Sequence, residues 1–222
     1  MTVRSVIRRI AGAASAAPAT VALVLTLLLV HAFTGTDRQA FDTMVHSDHG
    51  LASGEVWRLI SAHLIHLDPG HLIPNVVGLV ALGLPLERRI GTGPILALAL
   101  VSSGAISLGV VMDPSVDRYC GLSGVLNTFF AALCLTGIAR GPRLFWTVLL
   151  TAGLAKIAWE MGHPPLMQSG LSWPPHVISH LVGYLVGAMG GAMLIGAQAP
   201  TPGHRQPRHP DPQGHGHATV NR

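Results

Sequence analysis

Six long apolar runs decide what this chain can be. They cover residues 19–34, 71–86, 93–112, 121–139, 144–161 and 177–197, each near the roughly 17 to 25 residues that a helix needs to cross a bilayer. Only 11% of the 222 residues are charged, less than half the ~25% of a soluble globular domain, so lipid is the expected solvent of the runs. They are continuously apolar and lack the alternation of a membrane barrel strand. Within lipid, backbone polar groups must be satisfied inside the segment, which selects helices. The expected fold is an all-α polytopic membrane protein. Its six-transmembrane-helix bundle spans 19–197, after a cytoplasmic N-terminal segment, 1–18, and before a disordered cytoplasmic tail, 198–222, rich in proline, glycine and histidine.

Basic residues orient the bundle. With six spans, Arg4, Arg8, Arg9, Arg88, Arg89, Arg140, Arg143, Arg205, Arg208 and Arg222 fall on one side. Arg38, Arg58 and Arg118 fall on the other, so both termini are expected in the cytoplasm, the membrane being a bacterial inner membrane. The net charge of +4 is then a consequence of topology, and no nucleic-acid partner is expected. A competing reading takes the start as a signal peptide, with Val30-His31-Ala32 as a weak cleavage site. Cys120 and Cys134 lie on one expected helix, about 21 Å apart at 1.5 Å per residue, too far to pair.

The long outer connection, 35–70, carries "GEVWRLISAHLIHLDPGH", whose Trp57, Leu59, Ile60, Leu64 and Ile65 suit an element resting in the membrane interface. The other connections are short and make consecutive helices antiparallel neighbours. Gly183, Gly187 and Gly191 recur every four residues, leaving one bare face on the last helix for close packing. His180 stands three residues before Gly183 and shares that face.

In this topology the second, fourth and sixth helices all enter from outside, which puts His71 and Asn75, Ser123 and His180 at one depth. Ser123 becomes a nucleophile only if a base takes its proton, and His180 is the base at hand. No Asp or Glu is expected in the membrane at that depth to orient the imidazole, which leaves a dyad. His71 and Asn75, four residues apart, point the same way and with the Ser123 N–H could bind an oxyanion. Gly121 and Gly124 let substrate backbone and a partner helix come close. Against each role stands a bland one: a lone membrane serine usually packs or bonds its own helix, and a membrane histidine can be an interhelical donor.

His176 is a rival base one turn before His180, expected to face solvent after Pro174-Pro175. His63, His66 and His71 lack the spacing of a zinc site, so no metal is expected, and His66, with His63, is read as bracing the loop beneath His71. Lys156, in the fifth run, is expected to snorkel; it is too isolated for the ionisable relay of a transporter. If Asp68 caps the second helix and Pro69 opens it, Pro74 lies inside and would kink the helix beside Asn75.

These residues resemble the rhomboid family of intramembrane serine proteases. The match runs from Trp57-Arg58 through His66, His71 and Asn75 to Glu87 and Gly91, then to "GLSG" at 121–124 and "HLVGYLVG" at 180–187. The resemblance implies a rhomboid-like six-helix core that cleaves transmembrane protein substrates near their outer ends without a cofactor. It implies Ser123 as nucleophile, His180 as base and His71 with Asn75 as oxyanion donors. Trp57, Arg58, His66, Glu87, Gly121, Gly124, Gly183 and Gly187 are implied to support them. The short chain and "KIAWE" also resemble the rhombosortase branch, implied to process proteins with a C-terminal Gly-Gly sorting signal. A catalytically silent rhomboid-like protein that binds membrane clients is the alternative.

Overall fold

The computed structural model describes residues 12, 15–163, 173 and 175–197. The tail, 198–222, and most of the segment 1–18 lie outside the described residues. Six long helices dominate: α1 (Pro18–Thr34), α5 (Pro69–Ile90), α6 (Thr92–Val111), α7 (Ser123–Arg140), α8 (Arg143–Glu160) and α9 (Val177–Ala197). Between α1 and α5 the chain forms α2 (Arg38–Met44), β1 (His46–Ser47), α3 (Asp48–Ala52) and α4 (Arg58–Ser61), and β2 (Arg118–Tyr119) precedes α7. The two strands pair antiparallel, His46 opposite Tyr119 and Ser47 opposite Arg118, a small departure from the all-α expectation.

Helices α5, α6, α7 and α9 are long and apolar enough to cross a membrane. The other two apolar runs fall short for different reasons. Helix α1 is apolar but has 17 residues, while α8 carries Arg143, Lys156 and Glu160 along its 18.

Helix ends follow local chemistry. Asp68 caps α5 by accepting from the His71 N–H at 2.9 Å, with Pro69 in the first turn, and the helix continues through Pro74 and Pro85. Gly91, at φ +90°, ends α5 and lets α6 begin at once. The carboxylate of Glu87, 2% exposed, accepts from the N–H groups of Ala19 (2.9 Å) and Thr20 (2.8 Å) and from the Thr20 and Thr92 hydroxyls. An anion thus satisfies the open N–H groups at the start of α1 and ties three helices together.

The outer connection is organised by Arg58, which is buried. It donates to the carbonyls of Asp42 and Val45, both at 2.6 Å, and pairs with Glu55. Trp57 is half-exposed and donates to the Thr43 carbonyl at 3.0 Å, and Arg118 joins Asp42 across from β2. At the opposite end Arg89 lies over Trp146 at 5.1 Å and donates to the Leu133 carbonyl at 3.1 Å, pinning α5, α7 and α8.

Helix α9 packs chiefly on α7, backbone against backbone. A methyl group on Gly183 would overlap the Gly124 carbonyl, and one on Gly187 the Thr128 carbonyl. The Thr128 hydroxyl donates across the seam to the Gly183 carbonyl at 2.8 Å. Neither backbone can retreat as a flexible side chain would, so overpacking should cost about 1–3 kcal/mol per methyl. Gly183→Ala and Gly187→Ala should each lower the thermal midpoint in detergent, whereas Gly104→Ala, with open space around it, should not. Equal midpoints for all three would contradict this packing.

Candidate active site

Ser123 opens α7, so its N–H has no partner within the helix, and the helix dipole puts partial positive charge there. His180 lies in the first turn of α9, 5% exposed. Because α7 and α9 meet at Gly124 and Gly183, the His180 Nε2 comes to 2.9 Å from Ser123 Oγ. The two groups that topology put at one depth are in hydrogen-bonding contact.

Ser123 lines a cleft of about 600 Å³ whose wall also includes His71, Tyr119, Glu160, Trp173 and His176, and His180 stands behind it. His71 is buried, and its Nδ1 receives a long contact, 3.5 Å, from the Leu67 N–H, which leaves Nε2 as the protonated nitrogen. That Nε2 faces Gly121, where a Cβ would come within 2.7 Å of it. Gly121 has φ +116° and donates its N–H to the Ala62 carbonyl at 2.9 Å, so the turn into Ser123 needs glycine twice, for backbone angle and for room. Asn75 is not part of the cleft wall; its Nδ2 donates to the His71 carbonyl at 2.8 Å.

The remaining histidines occupy separate places. His66 packs edge-on against His71, ring centroids 4.9 Å apart, and His63 donates through Nε2 to the Ser103 carbonyl and the Ser107 hydroxyl, each at 3.0 Å, fastening the loop to α6. Burial pushes His66 down to about 3 and His63 to about 4, so both are neutral near pH 7. His176 is not solvent-exposed as expected: its Nε2 is 3.2 Å from Asp113, in a side chain 8% exposed. Hydrogen bonds from the Ser115 hydroxyl and N–H, then from His176, hold the Asp113 carboxyl below its ordinary range. Among the described residues no cluster of His, Cys, Asp and Glu is arranged to hold a metal ion.

One expectation is overturned. An acid does stand at the depth of the pair: Glu160, the last residue of α8, is 2% exposed with Oε2 3.5 Å from His180 Nδ1. Lys156, with 39% of its side chain exposed, reaches toward the end of α8, where its Nζ donates to both Glu160 oxygens at 2.7 Å. The i, i+4 spacing of Lys156 and Glu160 was the signal available in the sequence, since a paired carboxylate can be buried where a lone one cannot.

A helical bundle with four helices long and apolar enough to cross a membrane defines an integral, multi-pass membrane protein, with a serine and a histidine from two of its helices in hydrogen-bonding contact. Comparison with known proteins narrows this class. The family model described as Rhomboid domain matches residues 53–196. The chain is also 30% identical over 108 residues to a protein of Yersinia enterocolitica named Rhomboid protease GlpG, covering 45% of this chain and 38% of that one. It is 29% identical over 108 residues to the protein of the same name in Yersinia pestis, with the same coverage. The chain belongs to the rhomboid family. It spans about two fifths of the length of the curated relatives it matches.

Gly121→Ala tests the turn that seats Ser123. Strain at positive φ costs on the order of 1–3 kcal/mol and the added methyl displaces His71, so both the thermal midpoint and serine reactivity should fall. A variant with wild-type stability and reactivity would show that the turn does not need glycine.

Proposed function

We propose that this chain is an intramembrane serine protease that cleaves transmembrane protein substrates near the outer membrane face. The observation that carries the reading is the 2.9 Å contact between His180 Nε2 and the Oγ of Ser123, which lines the cleft. All six long helices serve as spans in this reading, with both termini cytoplasmic in a bacterial inner membrane. The relatives named as rhomboid proteases support the reaction class.

In this mechanism His180 Nε2 takes the Ser123 proton as Oγ adds to the scissile carbonyl, and a tetrahedral oxyanion forms. Its donors are the Ser123 N–H at the α7 N-terminus and the His71 Nε2–H, each worth roughly 2.7 to 4 kcal/mol of barrier. His180 then passes the proton to the leaving amine, and the acyl-enzyme is released by water activated at the same nitrogen. One N–H of the Asn75 amide is taken by the His71 carbonyl, so Asn75 would bring only its second N–H to the oxyanion set. No cofactor enters any step.

A fluorophosphonate probe applied to the detergent-solubilised protein should label the wild type and neither Ser123→Ala nor His180→Ala. His176→Ala should retain labelling, because that imidazole is turned to Asp113. Equal labelling of wild type and Ser123→Ala would refute the reading. A wild type that binds helical membrane clients without labelling or cutting them would establish the silent binder instead. Substitutions in the oxyanion set should be unequal: His71→Ala should slow cleavage of a helical substrate about 100-fold or more, and Asn75→Ala less. The reverse order would move the principal donor to Asn75.

A further inference from the structure

The buried acid beside His180 has no part in a two-residue mechanism. For Nε2 to receive the serine proton, the imidazole must carry its own proton on Nδ1. That Nδ1 is buried and makes no hydrogen bond of good geometry among the described residues. The group facing it is Glu160, whose Oε2 is 3.5 Å away and whose two oxygens are held by Lys156 Nζ. The carboxylate is therefore aimed from one side and adjacent to the imidazole on the other.

We propose that Glu160 is a positioning residue for His180: it selects the tautomer protonated on Nδ1 and stabilises the imidazolium formed when Ser123 gives up its proton. Lys156 keeps the carboxylate oriented. The idea rests on the proposed role of Ser123 and His180 and adds a third member, from α8, to a pair supplied by α7 and α9. No new bond forms at Glu160; the proton stays on Nδ1 throughout while Nε2 gains and returns the serine proton.

The charged and titratable groups around His180 are few. Helix α8 contributes Glu160 and Lys156, α7 contributes Ser123, and the residues leading into α9 contribute His176, itself paired with Asp113 from beyond the end of α6. The carboxylate favours the imidazolium and the ammonium opposes it, so removing one or the other moves the pH dependence in opposite senses. A purely structural ion pair has no such signature.

The experiment measures fluorophosphonate labelling rate against pH for the full chain in detergent. Glu160→Gln should lower the plateau rate at least about 10-fold and shift the midpoint to lower pH, and Lys156→Met should shift it to higher pH, each by about one unit. Glu160→Asp should recover part of the rate. The double variant Glu160→Gln/Lys156→Met leaves no unpaired charge in the bundle and should fold, yet label as slowly as Glu160→Gln. Wild-type rate and midpoint in Glu160→Gln or in the folded double variant would overturn the proposal and leave Ser123 and His180 in place. So would lower rates with an unmoved midpoint in both single variants. An unlabelled wild type, or labelling of Ser123→Ala at the wild-type rate, would instead remove the reaction on which the idea rests, and the proposal with it.

Discussion

The contact of two helix backbones, Gly183 of α9 on the Gly124 carbonyl of α7, is the constraint from which the site follows. Lipid chains are as apolar as leucine, so helices in a membrane gain little from hiding hydrophobic surface and associate through packing and interhelical hydrogen bonds. Both operate at this seam: glycine removes the side chain that would hold the backbones apart, and the Thr128 hydroxyl bonds across to the Gly183 carbonyl. His180 stands one turn above Gly183 and Ser123 one residue before Gly124. Once the backbones touch, the side chains have almost no separation left to cover, and the 2.9 Å contact is inherited from helix packing.

Polar side chains do the corresponding work at the ends of the bundle, where the chain must turn without leaving buried backbone groups unpaired. Glu87 meets the first N–H groups of α1, and Arg58 gathers the Asp42 and Val45 carbonyls of the outer connection. His63 bonds the loop that leads to His71 onto α6. Each ties a short irregular segment to a long rigid helix. That is how His71, near the start of α5, is held against Gly121 in the turn before α7.

Much of this was legible in the residues. The apolar runs locate the helices to within a few positions because lipid imposes one length and one composition on a span. The shared depth of His71, Ser123 and His180 follows from alternating helix direction alone. What escaped depends on pairings distant in sequence. His176 finds Asp113 across the α6–α9 gap, and two-residue strands carry no periodicity to read. Asn75 is four residues from His71 on one helix, but helical spacing does not say that its amide bonds the His71 carbonyl. Glu160 is hidden for a sharper reason: an acid in the last turn of an apolar helix reads as dissolved in water, and only the lysine one turn earlier offsets the cost of its burial.

That lysine bears on why the acid is there. An ion pair with a buried carboxylate is weak evidence for stability, since desolvating that charge offsets much of the attraction, and apolar replacements are often neutral or stabilising. Fold requirements alone therefore give little reason for Lys156 and Glu160 to stand in the last turns of α8, where apolar residues would pack without a desolvation cost. Under the proposed mechanism the reason changes, because the neighbour is an imidazole that becomes cationic in the transition state. A carboxylate fixed beforehand needs no reorganisation when that charge appears, and with the Glu160 and His180 side chains both buried its influence is larger than the same contact would have at the surface. The desolvation that makes Glu160 a poor stabilising device is the condition that makes it an effective electrostatic one beside His180.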